Sequence, residues 1–194
     1  MSDLFVIGLS HHTADVDVRE KLAATGDSLR QLVKDLAGAP NREGAVLSTC
    51  NRVELYASTD DIAAAHRHAR ALLSERASGL DLESMLYAYA GENAVRHIFR
   101  VASSLDSLVI GEPQILGQVK DAFDLAQQEG VIGTMLGRCM TRAFAVAKRV
   151  RTETSIAEGT VSVSSIATAL ARKIFGDLTG RRVVLIGAGE MGEA

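Results

Sequence analysis

Two cysteines in 194 residues leave little room for a disulfide framework. Cys50 and Cys139 lie far apart, with no C-x-x-C pair and no metal-ligand spacing, which suits a reducing compartment and predicts no metal site. Long apolar runs are missing as well, so no segment reaches the length of a transmembrane helix. The first residues, Met1-Ser2-Asp3-Leu4-Phe5-Val6-Ile7-Gly8, carry no basic stretch, and their apolar run is too short for a signal peptide. Nor is there a surplus of positive charge. The net charge of −3 argues against indiscriminate polyanion binding and leaves only local basic faces open. Internal repeats and low-complexity segments are absent. What remains is 47% hydrophobic and 23% charged, the balance of a packed domain rather than of a disordered chain. The length allows one domain, or one domain plus part of another. A soluble cytoplasmic protein is expected.

The apolar pattern divides the chain. Leu4 to Leu9 reads as a strand ending at Ser10-His11-His12-Thr13. A helix begins near Asp15 and covers Val18 to Ala23; a second runs from about Asp27 to Ala37, with Leu29, Leu32, Val33 and Leu36 on one face. Gly38-Ala39-Pro40-Asn41 breaks it. Gly44 to Thr49 and Val53 to Ser58 read as two strands, the second half-buried with alternation around Glu54. A helix over about Asp61 to Arg76 and a possible strand at Tyr87-Ala88-Tyr89 complete a small mixed α/β sheet part, about 1–90. From Gly91 the chain turns helical. One apolar face is marked by Ala94, Val95, Ile98, Phe99, Val101 and Ala102, another by Ile115, Val119, Ala122, Phe123 and Ala126 behind Pro113, and a third by Leu136, Met140, Ala143, Phe144, Ala147 and Val150. Val163 to Phe175 gives a fourth helix.

The most informative run is Ser48-Thr49-Cys50-Asn51-Arg52-Val53-Glu54-Leu55-Tyr56. It places a thiol at the junction of two strands, beside a guanidinium and two short polar side chains. A nearby cation favours thiolate, the reactive form, and Asn51 and Arg52 add donors suited to a carbonyl or a carboxylate. From these residues alone two readings stay open: a nucleophile, or a small buried side chain that merely packs. Near the end, Arg182-Val183-Val184-Leu185-Ile186 reads as a buried strand leading into Gly187-Ala188-Gly189-Glu190-Met191-Gly192. A G-x-G-x-x-G directly after a strand has the mechanics of a pyrophosphate-binding turn. The following helix and second strand of a nucleotide-binding unit are absent, so the chain is expected to be the N-terminal portion of a longer dinucleotide-dependent enzyme. A glycine-rich tail after an edge strand is the other reading.

Taken together, the segments resemble the glutamyl-tRNA reductase family. The matching stretches are Gly8-Leu9-Ser10-His11-His12-Thr13-Ala14, Ser48 to Tyr56, Gly111-Glu112-Pro113-Gln114-Ile115-Leu116-Gly117-Gln118-Val119-Lys120, Ala147 to Thr154 and Gly187 to Gly192, in order along the whole chain. Small departures are His12, where many members carry Lys, and Asp15, where many carry Pro. The resemblance implies an α/β (α+β) fold. A small mixed-sheet catalytic domain over 1–154, with its helical part at about 91–154, would be followed by a linker helix and the truncated start of an NADPH-binding Rossmann domain over 155–194.

It also implies the chemistry. Cys50 would take the glutamyl group from glutamyl-tRNA as a thioester, which hydride from NADPH would reduce to glutamate-1-semialdehyde, the first step of five-carbon tetrapyrrole synthesis. By the same resemblance Thr49, Asn51, Arg52, Ser107, Glu112, Pro113, Gln114 and Gln118 bind substrate. Arg52 would meet a carboxylate and Glu112 the ammonium. His97 would be a second catalytic residue that steers protons, and Gly187, Ala188, Gly189, Glu190, Met191 and Gly192 would bind the cofactor. His11 and His12 would sit at most in a supporting layer, and Cys139 would be structural. A glutamate-1-semialdehyde aminomutase is a family-level partner. A homodimer is implied for the full-length protein, whereas this portion is expected to be monomeric or weakly associated and to manage at most acylation and hydrolysis. Arg138, Arg142 and Arg149 fall on one helical face, with Lys148 and Arg151 on a neighbouring one; a tRNA-binding surface and an ordinary solvated face both account for them. A non-catalytic tRNA- or partner-binding module, with Cys50 only packing, is the rival from another class.

Overall fold

A computed structural model of the chain describes residues 3–157, 163–182 and 184. Four strands, β1 (Asp3–Ser10), β2 (Asn41–Ser48), β3 (Arg52–Thr59) and β4 (Tyr87–Ala90), form one sheet in the order β2-β3-β1-β4. Every pairing is antiparallel. The mixture implied by the sequence therefore lies in helices packed on strands, not in strand direction. Helices α1 (Val16–Leu22), α2 (Gly26–Ala37) and α3 (Ile62–Arg76) cover one face. The other side carries α4 (Glu92–Ala102), α5 (Gln114–Gln128) and α6 (Thr134–Glu153). A 3-10 turn at Ser155–Ala157 follows, and then α7 (Val163–Phe175).

Because both faces are covered, β3 is buried at all eight positions. This corrects the half-buried strand expected from its alternation. Val53, Leu55 and Ala57 pack among apolar neighbours, while Arg52, Glu54 and Tyr56 share the opposite face, beneath α4. Polar residues on a buried face must find partners inside the protein, and here they find one another. Gly8 makes the room. It pairs with Glu54 on β3 and Tyr87 on β4, and a Cβ on it would come within 2.4 Å of the Val53 carbonyl oxygen and 2.8 Å of Glu54 Cα.

Two long-range ties hold the helices in place, one to the sheet and one between helices. Glu43 on β2 accepts from the backbone N–H groups of Met135 (3.0 Å) and Leu136 (2.7 Å) at the start of α6, where the helix's positive end favours a carboxylate. Glu129, at the end of α5, takes Arg30 (2.5 Å) and Lys34 (2.8 Å) of α2. Of the strand and glycine motif read at the C-terminal end, Val183 and residues 185–194 lie outside the described residues.

Candidate active site

The site is built on the β2–β3 hairpin. Strand β2 ends at Ser48 and β3 begins at Arg52, leaving a three-residue turn of Thr49, Cys50 and Asn51. Thr49 closes it: its N–H donates to the Arg52 carbonyl at 2.8 Å, and its Oγ1 accepts from the N–H groups of Asn51 (3.2 Å) and Arg52 (3.1 Å). Cys50 is thereby held at the tip, exposed and free. That position overturns the reading of Cys50 as a buried packing residue. Arg19 of α1 pins the same turn, donating from Nε to the Cys50 carbonyl at 3.0 Å and from Nη1 to the Ala14 carbonyl at 2.6 Å. The end of β1 joins as well, with the His11 N–H donating to the Asn51 carbonyl at 2.9 Å.

Beside Cys50 lies a small pocket of about 20 Å³, space for roughly one water. It is lined by Thr49, Cys50, Asn51, Arg52, Ser107, Glu112, Gln114, Ile115 and Gln118. Seven of the eight substrate-binding residues expected from the sequence thus converge on one concavity with the cysteine. The eighth, Pro113, sits outside the lining, at the N-cap of α5, where it sets the turn between Glu112 and Gln114. Ser107 is 6% exposed, and its hydroxyl has no hydrogen-bond partner among the described residues. A buried, unpartnered hydroxyl lining an otherwise polar pocket is a group left for a ligand.

Arg52 is fixed from behind. Its guanidinium is 1% exposed; Nη1 donates to Glu54 Oε1 at 2.8 Å, and Nη2 donates to the Asp106 carbonyl and, at 3.2 Å, to Asp106 Oδ1. Three donor contacts out of a guanidinium's five N–H groups leave the fork able to meet a further acceptor. Glu54 is the hub, fully buried, accepting from Tyr56 and Tyr87 hydroxyls and Arg52, with His97 Nε2 at 2.9 Å. Burial pushes the Glu54 carboxyl up, but the His97 hydrogen bond, the Arg52 charge and the Tyr56 hydroxyl outweigh it and hold it down at about 2. Burial and the Glu54 charge push both phenols well above their ordinary range, so they remain donors.

His97 stands apart from the pocket lining. It is buried in α4 with Glu54 as partner and the Tyr87 and Tyr89 rings alongside at 5.4 and 4.8 Å, and it does not line the pocket. Its reach to the site runs through Glu54 and Arg52. Sequence reasoning missed Asp106, Tyr87 and Arg19, none of which is near Cys50 along the chain. It also missed Glu54 as the hub, although a charged residue in the middle of an apolar strand was a usable signal. His11, whose buried Nδ1 has no hydrogen-bond partner among the described residues, is shifted to a lower pKa by burial and by the neighbouring cations. Cys139 is half-buried on α6, and burial raises its thiol to about 11. The glycines and neighbours expected to hold a dinucleotide, Gly187 to Gly192, lie outside the described residues.

A second, larger cavity of about 620 Å³ shares Thr49, Cys50, Gln114 and Gln118 with the first. Cys50 therefore stands on the boundary between two spaces of different size and polarity.

Comparison with known proteins gives a consistent result. Residues 7–154 match a family model described as glutamyl-tRNAGlu reductase, N-terminal domain. The chain is 51% identical over 194 residues to the glutamyl-tRNA reductase of Pelobacter propionicus, covering 98% of the chain and 44% of that protein. It is 53% identical over 195 positions to that of Trichlorobacter lovleyi, covering 98% and 45%. Among solved structures it is similar to glutamyl-tRNA reductase from Methanopyrus kandleri, with a TM-score of 0.70 and 37% identity over 100% of this chain and 45% of that one. The chain spans less than half the length of these relatives.

Proposed function

The chain belongs to the glutamyl-tRNA reductase family, matching its N-terminal domain, and from that premise we propose that it carries the acyl-transfer centre of a reductase acting on glutamyl-tRNA in the cytoplasm. The observation that carries the reading is the exposed Cys50 at the mouth of a polar pocket that gathers the expected substrate residues.

In this reading the Cys50 sulfur bonds to the carbonyl carbon of the glutamyl ester. The bond from that carbon to the ribose oxygen breaks, and the oxygen leaves with a proton on the freed tRNA. Splitting a difficult reduction through a covalent thioester is ordinary nucleophilic catalysis. Arg52 offers its remaining N–H groups to the glutamyl side-chain carboxylate. Glu112 meets the α-ammonium, and the Ser107 hydroxyl gains the partner it lacks. Gln114 and Gln118, one turn apart on α5, flank the sulfur. His97 positions Arg52 through Glu54. The pocket's present volume is smaller than a glutamyl group, so binding parts the Glu112–Gln118 wall from the hairpin.

NADPH would supply the hydride that, with a proton, turns the thioester into an aldehyde and the free thiol. Gly187 to Gly192 are the residues that would hold it. Tetrapyrrole synthesis, a dimeric full-length enzyme and an aminomutase that receives the semialdehyde follow from the same reading. We place the end of the catalytic unit near residue 154; the last turn of α6 at Glu153 and the extent of the family match support that boundary.

Intact mass after brief mixing with glutamyl-tRNA tests the reading. The parent is expected to gain one glutamyl adduct, and Cys50→Ser none. Absence of an adduct on the parent, with tRNA still bound, would make this a binding module instead.

A further inference from the structure

Arg52 and Glu112, the two charged anchors of the proposed glutamyl site, lie far apart in the chain, and one loop ties them together. That loop, residues 103–113, joins α4 to α5 and closes on itself at its neck. The Gly111 N–H donates to the Ser104 carbonyl at 3.0 Å, and the Ser104 hydroxyl donates to the Glu112 carbonyl at 2.7 Å. Both turning points have left-handed backbone, Ser104 at φ 60° and Gly111 at φ 87°, and a Cβ on Gly111 would come within 2.1 Å of the Ile156 carbonyl oxygen. Loops of this length whose ends meet pack as compact units. From this frame Asp106 reaches back to β3. Its carbonyl accepts from Arg52 Nη2, and its Oδ1 accepts from the same nitrogen at 3.2 Å. Arg100 of α4 stands behind it, 3.6 Å from Oδ2. The next residue is Ser107, with its buried hydroxyl left without a partner among the described residues. The loop then runs to Glu112, whose carboxylate likewise has no hydrogen-bond partner among the described residues, although its carbonyl accepts from Ser104 and Arg151.

Accepting the acyl-transfer reading above, on which this inference rests, we propose that Asp106 sets the choice of glutamate over aspartate. An acyl group held at both ends must match the span between the Arg52 guanidinium and the Glu112 carboxylate. Asp106 fixes that span, because it holds Arg52 on the same loop that carries Ser107 and Glu112. As binding parts the Glu112–Gln118 wall from the hairpin, the Asp106 tether limits how far the two anchors separate and where the guanidinium points. An aspartyl group is one methylene shorter. With its ammonium on Glu112 it leaves the open N–H groups of Arg52 unmatched, and a methylene alone is worth about 10–200-fold in a fitted pocket. Asp106 is not among the residues lining the pocket; it is a positioning residue that acts through Arg52. Without its carboxylate the guanidinium loses one of its three contacts and is free to tilt towards a shorter side chain.

The test compares acylation of Cys50, by intact mass, from the α-ethyl esters of L-glutamate and L-aspartate, ethanol leaving in each case. Both rates are read on one protein sample, so an unfolded fraction cancels from their ratio and a merely structural role would not move it. The parent should prefer the glutamyl ester by about tenfold or more, and Asp106→Ala should bring the two rates to within about threefold of each other. Asp106→Asn, which keeps an oxygen acceptor for Arg52, should retain most of the preference. A parent ratio near one, an unchanged ratio in Asp106→Ala, or an equal fall in both variants overturns the proposal. If neither ester reacts, the acyl-transfer reading fails and a second arm decides the positioning role by itself. That arm is alkylation of Cys50 by iodoacetamide, read on the Cys50 peptide, in the presence of L-glutamate or L-aspartate. Protection of the parent by glutamate and not by aspartate, with the difference gone in Asp106→Ala, supports the role of Asp106. Protection that does not distinguish the two amino acids in the parent, or that distinguishes them equally well in Asp106→Ala, overturns it.

Discussion

Glu54 is the residue on which the most is staked. A lone carboxylate with no exposure would be too costly to keep charged; with Arg52, His97 and two phenols around it, charge is its stable form. Its folded value of about 2 lies below the ordinary 4.5, so the folded state binds the proton less readily than the unfolded chain. The stabilisation is complete above about pH 4.5 and drains away as pH falls towards 2, on the order of 3 kcal/mol in all. Urea melts across that window should show the loss in the parent. Glu54→Gln should start less stable by up to about 3–5 kcal/mol, because buried Arg52 keeps only Asp106 as a carboxylate partner, and should lack this share of the acid dependence. Gly8→Ala tests the space beneath the hub. Its Cβ would press on backbone atoms of Val53 and Glu54, so a loss of about 1–3 kcal/mol and a lower Tm are expected. At this scale the Cys50 turn was legible because Thr49, Asn51 and Arg52 adjoin the cysteine in the chain, whereas Ser107, Glu112, Gln114 and Gln118 were tied to it only by the family resemblance. The sequence did not show that Arg52 is held by Asp106, 54 positions away, or that His97 is partnered by Glu54. Such partners are fixed by how strands and helices stack, which no local pattern encodes.

Elements were far more legible than their attachments. Apolar stripes at 3.6 spacing marked α2, α4, α5 and α6, since a helix buries one face against the sheet and repeats that demand every turn. The burial of β3 was hidden for the same reason in reverse: alternation of polar and apolar residues signals a half-exposed strand only when water covers the polar face, and here α4 covers it. The join of α6 to β2 was equally invisible, because Glu43 reaches across 92 and 93 positions to Met135 and Leu136. Removing that carboxylate with Glu43→Ala orphans two N–H groups at the start of the helix, one of them buried. A cost of about 1–3 kcal/mol follows for a buried donor left unpaired. Native-state hydrogen exchange should find the Met135 and Leu136 amides, and few others, losing protection. Glu43→Gln keeps an acceptor without its charge and should fall between parent and Ala.

At the scale of the whole molecule, the packed core of the described residues ends on α6. Its buried side chains run from Leu4 on β1 to Ala147 on α6, and every residue assigned here to the glutamyl pocket lies between those two positions in the chain. Helix α7 is different. Its described side chains from Thr168 to Phe175 are largely exposed, with Leu170 at 54%, Ile174 at 63% and Phe175 at 58%. Cooperative stability comes from apolar area taken out of water, so the described part of α7 adds little to the core. A chain ending at Ala157 should therefore melt within a degree or two of the 194-residue protein and unfold in one transition. It should also be acylated at Cys50 by glutamyl-tRNA at an undiminished rate. A large fall in Tm would mean that residues after 157 bury surface the core requires. An unchanged Tm with lost acylation would mean instead that those residues serve the tRNA directly, and the boundary of the catalytic unit would have to move past 154.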